Sequence, residues 1–349
     1  MAKKKLGDEK FSYVSSGAGY GLTIEENYRA LERLKFVPRV MKSADCSISS
    51  KLFEKTISAP IILAPVRGLK YFHEEGEIAS SSAAKESGIP VALSNFASAS
   101  IEEVGKIMGE VPHFLQLYAC KDEEVMESFL KRAESNGYCG VFVTVDMGGN
   151  AIKYFGPKTA EYERYGFDVY FTDPVFRSRL KQPPEKDMDS AIRLWKELRS
   201  LKFSWEQIRE LKSKSRLPII VKGIMHPGDA EECLQLGVDG LVVSNHGGRS
   251  IDSAQAAIDA LPEISEVVNK RATVFFDSGV RTGMDVVKAL ALGAKYVLIG
   301  RAYVYALAAG GKEGVKAVLR RLAKEVESTI LSLGISKIDE VDSSMLRHA

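Results

Sequence analysis

From residue 58 onward the chain alternates short apolar runs with amphipathic stretches. Residues 60–64, 91–93, 114–118 and 141–145 are apolar at successive positions, and 219–221, 241–243, 273–276 and 296–299 continue the series. Such runs suit strands buried on both faces, as in a parallel sheet. Residues 78–87, 101–109, 124–136, 227–236, 254–261 and 283–292 place apolar side chains at helical period. Eight strands alternating with helices predict a closed (β/α)8 TIM barrel, and predict it over an open doubly wound sheet.

The rest of the chain extends this repeat. Lys3-Lys4-Lys5 reads as a solvated tail. Residues 11–21 are aromatic and glycine-rich. Gly17-Ala18-Gly19-Tyr20-Gly21 looks like a dinucleotide loop, but it lacks the spacing and no βαβ unit follows it. Residues 25–34 have helical period and Val37-Pro38 stops them. The fourth and fifth strands are separated by residues 146–217, far more than a crossover needs. We expect residues 147–204 to form a long active-site loop or lid, rich in tyrosine, followed by a helix over 205–213 with Ser204 as its cap and Glu206 nearby. A long helix over 315–333 and a tail over 335–345 end the chain. The organisation expected is one domain, 1–349: a barrel with an N-terminal extension.

Composition narrows the class without choosing a partner. The chain has 349 residues, is 45% hydrophobic and carries a formal net charge of +2, so no nucleic-acid partner is expected. Cys46, Cys120, Cys139 and Cys233 lack metal-ligand spacing and read as reduced thiols of a cytoplasmic protein. No apolar run reaches the roughly 18 residues of a membrane span.

The chemistry collects where the strands are expected to end. There stand Pro65-Val66-Arg67-Gly68, Ser94-Asn95, Gln116 with Tyr118, Thr144-Val145-Asp146, Lys222-Gly223, His246 with Arg249, Asp277-Ser278-Gly279-Val280-Arg281, and Gly300-Arg301. Barrel enzymes build their sites on that face, with a phosphate site after the last two strands. Glycine-hinged amides, two helix N-termini and Arg281 with Arg301 suit a phosphate. A lysine ending the fifth strand suits an isoalloxazine, because a cation there stabilises the reduced anion. Ser94, Gln116 and Thr144 offer the ring uncharged hydrogen bonds. His246 can exchange a proton near neutral pH, and Arg249 can fork onto a carboxylate. The cofactor read from this set is FMN, with no metal.

Ser244-Asn245-His246-Gly247-Gly248-Arg249, followed by Asp252, resembles the signature of the FMN-dependent L-2-hydroxy-acid oxidases and dehydrogenases, the family of glycolate oxidase, lactate oxidase and lactate monooxygenase. The resemblance runs from Tyr13 to the C-terminal helix, except for the long loop. It implies that His246 is the base, Asp146 orients it, Tyr118 contacts the reacting hydroxyl, and Arg249 and Tyr13 hold the substrate carboxylate. It implies flavin contacts from Pro65, Ser94, Gln116, Thr144, Lys222 and Ser244, and ribityl or phosphate contacts from Asp277, Gly279, Arg281, Gly300 and Arg301. A homo-oligomer, as in the tetrameric relatives, is implied too.

Three positions depart from the family pattern. Lys153 stands where a second carboxylate-binding arginine is expected; Arg67 replaces a small residue; Ser278 interrupts an Asp-Gly-Gly run. Arg67 reads as a relocated substrate or flavin cation, the alternative being a surface arginine paired with Glu74 or Glu75. The function expected is FMN-dependent oxidation of a lactate-like L-2-hydroxy acid to the 2-oxo acid, with electrons passed to oxygen, a quinone or another acceptor. Hydride and carbanion routes stay open. The alternatives are a lactate 2-monooxygenase outcome and a non-redox FMN isomerase of the type 2 isopentenyl diphosphate isomerase kind.

Overall fold

The computed structural model describes residues 1–40, 45–147, 154, 162–200 and 202–348. In chain order the elements are α1 (Ala2–Ser15), α2 (Leu22–Arg33), β1 (Leu34–Phe36), β2 (Ser50–Leu52), β3 (Lys55–Ile57), β4 (Ile61–Leu63), α3 (Gly76–Glu86), β5 (Val91–Ser94), α4 (Ile101–Met108), β6 (His113–Leu117), α5 (Glu123–Ser135) and β7 (Gly140–Thr144). Then follow α6 (Asp168–Phe171), α7 (Pro174–Ser178), α8 (Met188–Leu198), α9 (Trp205–Lys214), β8 (Ile219–Ile224), α10 (Pro227–Gln235), β9 (Gly240–Val243), α11 (Ala257–Val268), β10 (Thr273–Phe276), α12 (Gly283–Ala291), β11 (Tyr296–Ile299), α13 (Arg301–Ser332) and β12 (Leu346–His348).

All eight expected strands form, and they close into a parallel barrel in the order β4-β5-β6-β7-β8-β9-β10-β11 and back to β4. The chain's own alternation explains the closure. On each strand one set of side chains faces the helices, as Ile61, Leu115, Val143, Leu241 and Val297 do. The other set, Ile62, Ala92, Phe114, Phe142, Ile220, Val242, Phe275 and Leu298, fills the interior. The hairpin β2–β3 plugs the N-terminal mouth with Leu52 and Ile57, each 1% exposed. These runs could not alternate with polar residues because both faces are buried.

The differences from expectation lie mostly at the edges. Lys3-Lys4-Lys5 are exposed as expected but belong to a helix, not a tail; α1 kinks at Gly7 (φ 70°) and packs on α13, burying Leu6 and Val14. α13 is two helices joined across non-helical backbone at Gly310 and Gly311; the second is the helix expected over 315–333, and the first, opening at Arg301, was not expected. The helix expected over 254–261 is α11, displaced to Ala257–Val268. The segment expected as a long loop carries α6, α7 and α8. At α9 the reciprocal cap is Ser204 with Gln207, not Glu206. Asp252 accepts the Tyr20 and Thr23 amides at 2.7 and 3.0 Å, so it fastens the N-terminal segment instead of taking part in the site.

Candidate active site

One pleat beyond the apolar interior, the same inward face changes character. Two residues after Ala92, Phe114, Phe142, Ile220, Val242, Phe275 and Leu298 come Ser94, Gln116, Thr144, Lys222, Ser244, Asp277 and Gly300. Ser94, Thr144, Lys222, Asp277 and Gly300 form the floor of a cavity of about 410 Å³ at the C-terminal face of the barrel, with Gln116 and Ser244 behind them. The Ser94 hydroxyl donates to Gln116 Oε1 at 3.1 Å, and Gln116 Nε2 donates to Thr144 Oγ1 at 3.0 Å. Lys222 Nζ lies 2.8 Å from both Asp277 Oδ2 and Ser244 Oγ. Burial alone would push the Lys222 ammonium down, but the Asp277 carboxylate, with Asp146 adding to it, holds it above its ordinary value. Burial likewise pushes Asp277 up, and Lys222 outweighs it, leaving the carboxyl below the usual range. The floor therefore holds a charged ammonium with its counter-ion.

His246 lines the cavity above this floor, and its Nδ1 is 2.8 Å from Asp146 Oδ1. A carboxylate at Nδ1 fixes the N–H on that nitrogen and leaves Nε2 with a lone pair. The local sequence makes this pairing possible. Gly223 has φ 110°, and a Cβ there would sit 2.4 Å from the Asp146 Cβ, so only glycine admits the aspartate. The ladder of β8 on β9 shifts register between Lys222 and Ile224, absorbing that backbone. His246 itself has φ 58°. Serine hydroxyls cap three successive amides around it: Ser278 Oγ accepts from Asn245 and Gly247 at 3.2 and 3.0 Å, and Ser244 Oγ accepts from His246 at 3.0 Å. Tyr118 faces the same cavity; burial, then the Asp146 charge, raises its hydroxyl above the ordinary range, so it stays a donor.

Three arginines gather at the other end. Arg249 Nη1 donates to the Tyr13 and Ser16 carbonyls at 3.1 and 3.2 Å, with its guanidinium 4.9 Å from the Tyr13 ring. Arg301 donates to the Val14, Gly247 and Ser16 carbonyls at 2.8, 2.8 and 3.0 Å. Burial first, then the positive charges of Arg249 and Arg281, hold Arg301 down to about 9. Arg281 stacks 5.0 Å from the Tyr28 ring. Three guanidiniums gathered at one end of a cavity, Arg301 among them desolvated, call for an anion, and a phosphate dianion matches them. The adjoining backbone fits too: Gly300, at the start of α13, has open space where a Cβ would project, so a ligand can come close.

The glycine cluster near the N-terminus has a packing role. Ala18 N donates to Gly248 O at 2.8 Å, and a Cβ on Gly17 would lie 2.4 Å from that oxygen. The cluster lets the N-terminal segment reach the loop after β9.

Most expected site residues converge. Tyr13, Pro65, Arg67, Ser94, Tyr118, Thr144, Lys222, His246, Arg249, Asp277, Gly279, Arg281, Gly300 and Arg301 line the one cavity. Gln116, Asp146 and Ser244 stand behind it, holding residues that do. Lys153 lies outside the described residues. Arg67 turns inward, away from Glu74 and Glu75: its Nε and Nη2 donate to Tyr165 O at 3.2 Å. Residues not expected from the sequence also line the cavity, among them Val66, Phe96, Met147 and Arg199. Phe96 follows Asn95 on an expected strand end. Arg199 carries no local signal, for it enters the wall from the C-terminus of α8.

A profile of the family described as FMN-dependent dehydrogenase matches residues 2–348. The chain is 39% identical to an FMN-dependent alpha-hydroxy acid dehydrogenase of Penicillium citrinum, over 99% of this chain and 88% of the relative. It is 36% identical to an L-lactate oxidase of Lysinibacillus sphaericus over 96% of this chain and 88% of the relative, and 36% identical to 2-hydroxyacid oxidase 1 of Homo sapiens over 99% and 94%. Among solved structures, that of a mandelate oxidase superposes with a TM-score of 0.86 at 30% identity, covering 99% of this chain and 95% of the other.

Proposed function

The chain belongs to the FMN-dependent dehydrogenase family, and from that premise we propose that it oxidises an L-2-hydroxy acid with His246 as its base. Its cofactor is FMN and its chemistry is the oxidation of 2-hydroxy acids. When bound, FMN supplies the two-electron acceptor. Arg281, Arg301 and the amides after Gly279 and Gly300 would hold the phosphate, and Pro65, Ser94, Thr144 and Lys222, backed by Gln116 and Ser244, would hold the ring.

The observation that carries the reading is the His246–Asp146 pair at 2.8 Å, in one cavity with Arg249. His246 Nε2 takes a proton from the substrate as the α-carbon gives up two electrons, and Asp146 stabilises the imidazolium that results. Arg249 receives the C1 carboxylate. Its Nη1 is anchored on two carbonyls of the N-terminal segment, which aims the remaining donors. Tyr13 flanks that carboxylate, and the Tyr118 hydroxyl donates to the substrate oxygen as it becomes a carbonyl. The simplest substrate is lactate-like, with electrons passing on to oxygen or another acceptor. The segment after β7 acts as a lid on this reading, supported by Met147, Tyr162, Arg199 and Ser200, which line the cavity. Four free thiols support a cytoplasmic setting.

Anaerobic mixing of the yellow holoenzyme with 2-hydroxy acids tests the reading, because substrate should bleach the flavin. His246→Ala should keep FMN yet reduce it roughly 10²- to 10⁴-fold more slowly. Reduction by His246→Ala at the native rate would show that another group is the base.

A further inference from the structure

A second, small cavity adjoins the floor of the main one. It measures about 20 Å³ and lies where the barrel meets α3 and α13. Its polar lining is Glu77, Ser80 and Ser81 of α3, Ser94 at the end of β5, and Tyr303 of α13. Ser94 lines the main cavity as well, so this one residue belongs to both. A space of this size holds one water, provided the water finds two to four polar partners.

Glu77 supplies the first of those partners. It is 3% exposed. Its Oε1 accepts the Leu69 amide at 3.0 Å and the Ser98 amide at 2.9 Å, while Oε2 is buried and has no partner among the described residues. A carboxyl oxygen left unmatched in the interior is costly. With two N–H groups on Oε1, the proton of the neutral acid belongs on Oε2. Burial is the largest influence on this carboxyl and pushes it up to about 7 from 4.5. Among the described residues, Asp168 of α6 and Tyr303 are the titratable groups that face it. Asp168 adds to the rise and itself pairs with Lys70 at 3.7 Å. Burial, then the Glu77 charge, raises Tyr303 well above the ordinary tyrosine range, so it stays neutral and donates to Ala64 O at 2.9 Å.

Ser94 supplies the second partner, and it heads a chain. Its hydroxyl donates to Gln116 Oε1 at 3.1 Å and accepts the Phe96 amide at 3.1 Å, and Gln116 Nε2 donates to Thr144 Oγ1 at 3.0 Å. One lone pair of Ser94 Oγ is left for a donor. Ser80 Oγ, which donates to the Glu77 carbonyl at 3.1 Å, also keeps lone pairs. A water here would accept from Glu77 and donate to Ser94 and Ser80, which satisfies all three.

We propose that one buried water in this cavity joins Glu77 to Ser94, making Glu77 a positioning residue that tunes the flavin through the Ser94–Gln116–Thr144 chain. The proposal goes beyond the oxidation of 2-hydroxy acids and rests on the placement of the ring at that chain. While Glu77 is neutral, the water donates to Ser94, whose own proton points to Gln116. When Glu77 ionises, the water turns a hydrogen to Oε2, and the Ser94 hydroxyl turns from Gln116 to the water. The chain loses its first link, and the carboxylate charge opposes the addition of electrons to the ring.

The test compares native holoenzyme, Glu77→Gln, Ser94→Ala and the double variant by flavin midpoint potential and visible absorption spectrum. Measurements at about pH 5.5 and about pH 8.5 bracket the carboxyl at about 7. Glutamine keeps an acceptor for both amides and a donor toward the water, but it cannot ionise. Native enzyme and Glu77→Gln should therefore agree at the lower pH. At the higher pH the flavin of Glu77→Gln should be about tenfold easier to reduce at equilibrium, a rise of about 30 mV for two electrons. Titrations common to both proteins, that of His246 among them, cancel in the difference. In the Ser94→Ala background the difference should fall to about twofold or less, as for uncoupled sites. A crystal structure of the native holoenzyme should show a water within hydrogen-bond distance of Glu77 Oε2 and Ser94 Oγ, and this measurement needs no variant to fold. A dry cavity overturns the proposal, and so does the absence of a difference at the higher pH. A difference that persists in full without the Ser94 hydroxyl overturns it too, because the charge then acts through space. If Ser94→Ala leaves the flavin spectrum unchanged at both pH values, the placement of the ring falls, and the proposal with it.

Discussion

Ser278 has φ 87°, backbone that glycine adopts without strain, yet its side chain satisfies three groups at once. It accepts the amides on either side of His246 and donates to Asp277 Oδ1 at 2.9 Å, linking the lysine–aspartate pair to the backbone of the proposed base. Ser278→Ala should keep the strain and lose the hydroxyl. Ser278→Gly should relieve the strain and lose the same bonds, so it should be the more stable of the two by about 1 kcal/mol. Both should hold FMN and reduce it about tenfold or more slowly, because His246 loses its backbone clamp. Native-rate reduction by Ser278→Gly would remove Ser278 from the set that positions His246. The serine was visible in the sequence as a departure at Asp277-Ser278-Gly279, but its role was not: the two amides it accepts lie 33 and 31 residues away in the chain. Arg199 was hidden for the same reason. Nothing near it in sequence distinguishes it from a surface arginine, and only the turn after α8 brings it to the wall.

The strands were legible because each is a short run apolar on both faces, and the floor of the site was legible because it continues their inward alternation by one step. The first helix was not. It buries only Leu6 and Val14, carries three consecutive lysines and kinks at Gly7, so it shows almost no apolar stripe. Glu77 on α3 was passed over as well, and it ties two elements to the barrel mouth. Its Oε1 accepts the Leu69 amide at 3.0 Å and the Ser98 amide at 2.9 Å, while Oε2 is buried without a partner. Burial outweighs the two amides and pushes the carboxyl up to about 7 from 4.5. Below pH 4.5 both folded and unfolded states carry the proton, and the contribution to stability is complete. Between pH 4.5 and about 7 the unfolded chain ionises first, so stability should fall as pH rises, and then level off. The total is on the order of 3 kcal/mol at 1.36 kcal/mol per unit. Glu77→Gln keeps an acceptor for both amides and cannot ionise. Its denaturation midpoint should lose this slope and exceed the native value at pH 8; an unchanged slope would place the titration elsewhere.

Over the whole molecule, the barrel is a closed ring that the N-terminal segment completes as a site. Carbonyls of Tyr13, Val14 and Ser16 hold Arg249 and Arg301, and β1 pairs antiparallel with β12, Leu34 opposite His348. Removing residues 1–16 should leave the barrel's circular dichroism largely intact, since none of its strands lies there, and weaken FMN retention by about tenfold or more as both guanidiniums lose their anchors. Full retention of FMN would show that the barrel holds those arginines unaided. The ring has a further consequence during synthesis. Ile61 of β4 pairs with Val297 of β11, so one edge of the sheet is made early and its partner roughly 240 residues later. At about 5–20 residues per second, that edge waits on the order of ten seconds to a minute with its amides and carbonyls unpaired. An open, apolar parallel edge is a template for the wrong partner. The nascent chain is therefore most open to aggregation after β4 has emerged and before β11 has, and a holdase acting in that interval should raise the yield of active enzyme more than one added after release.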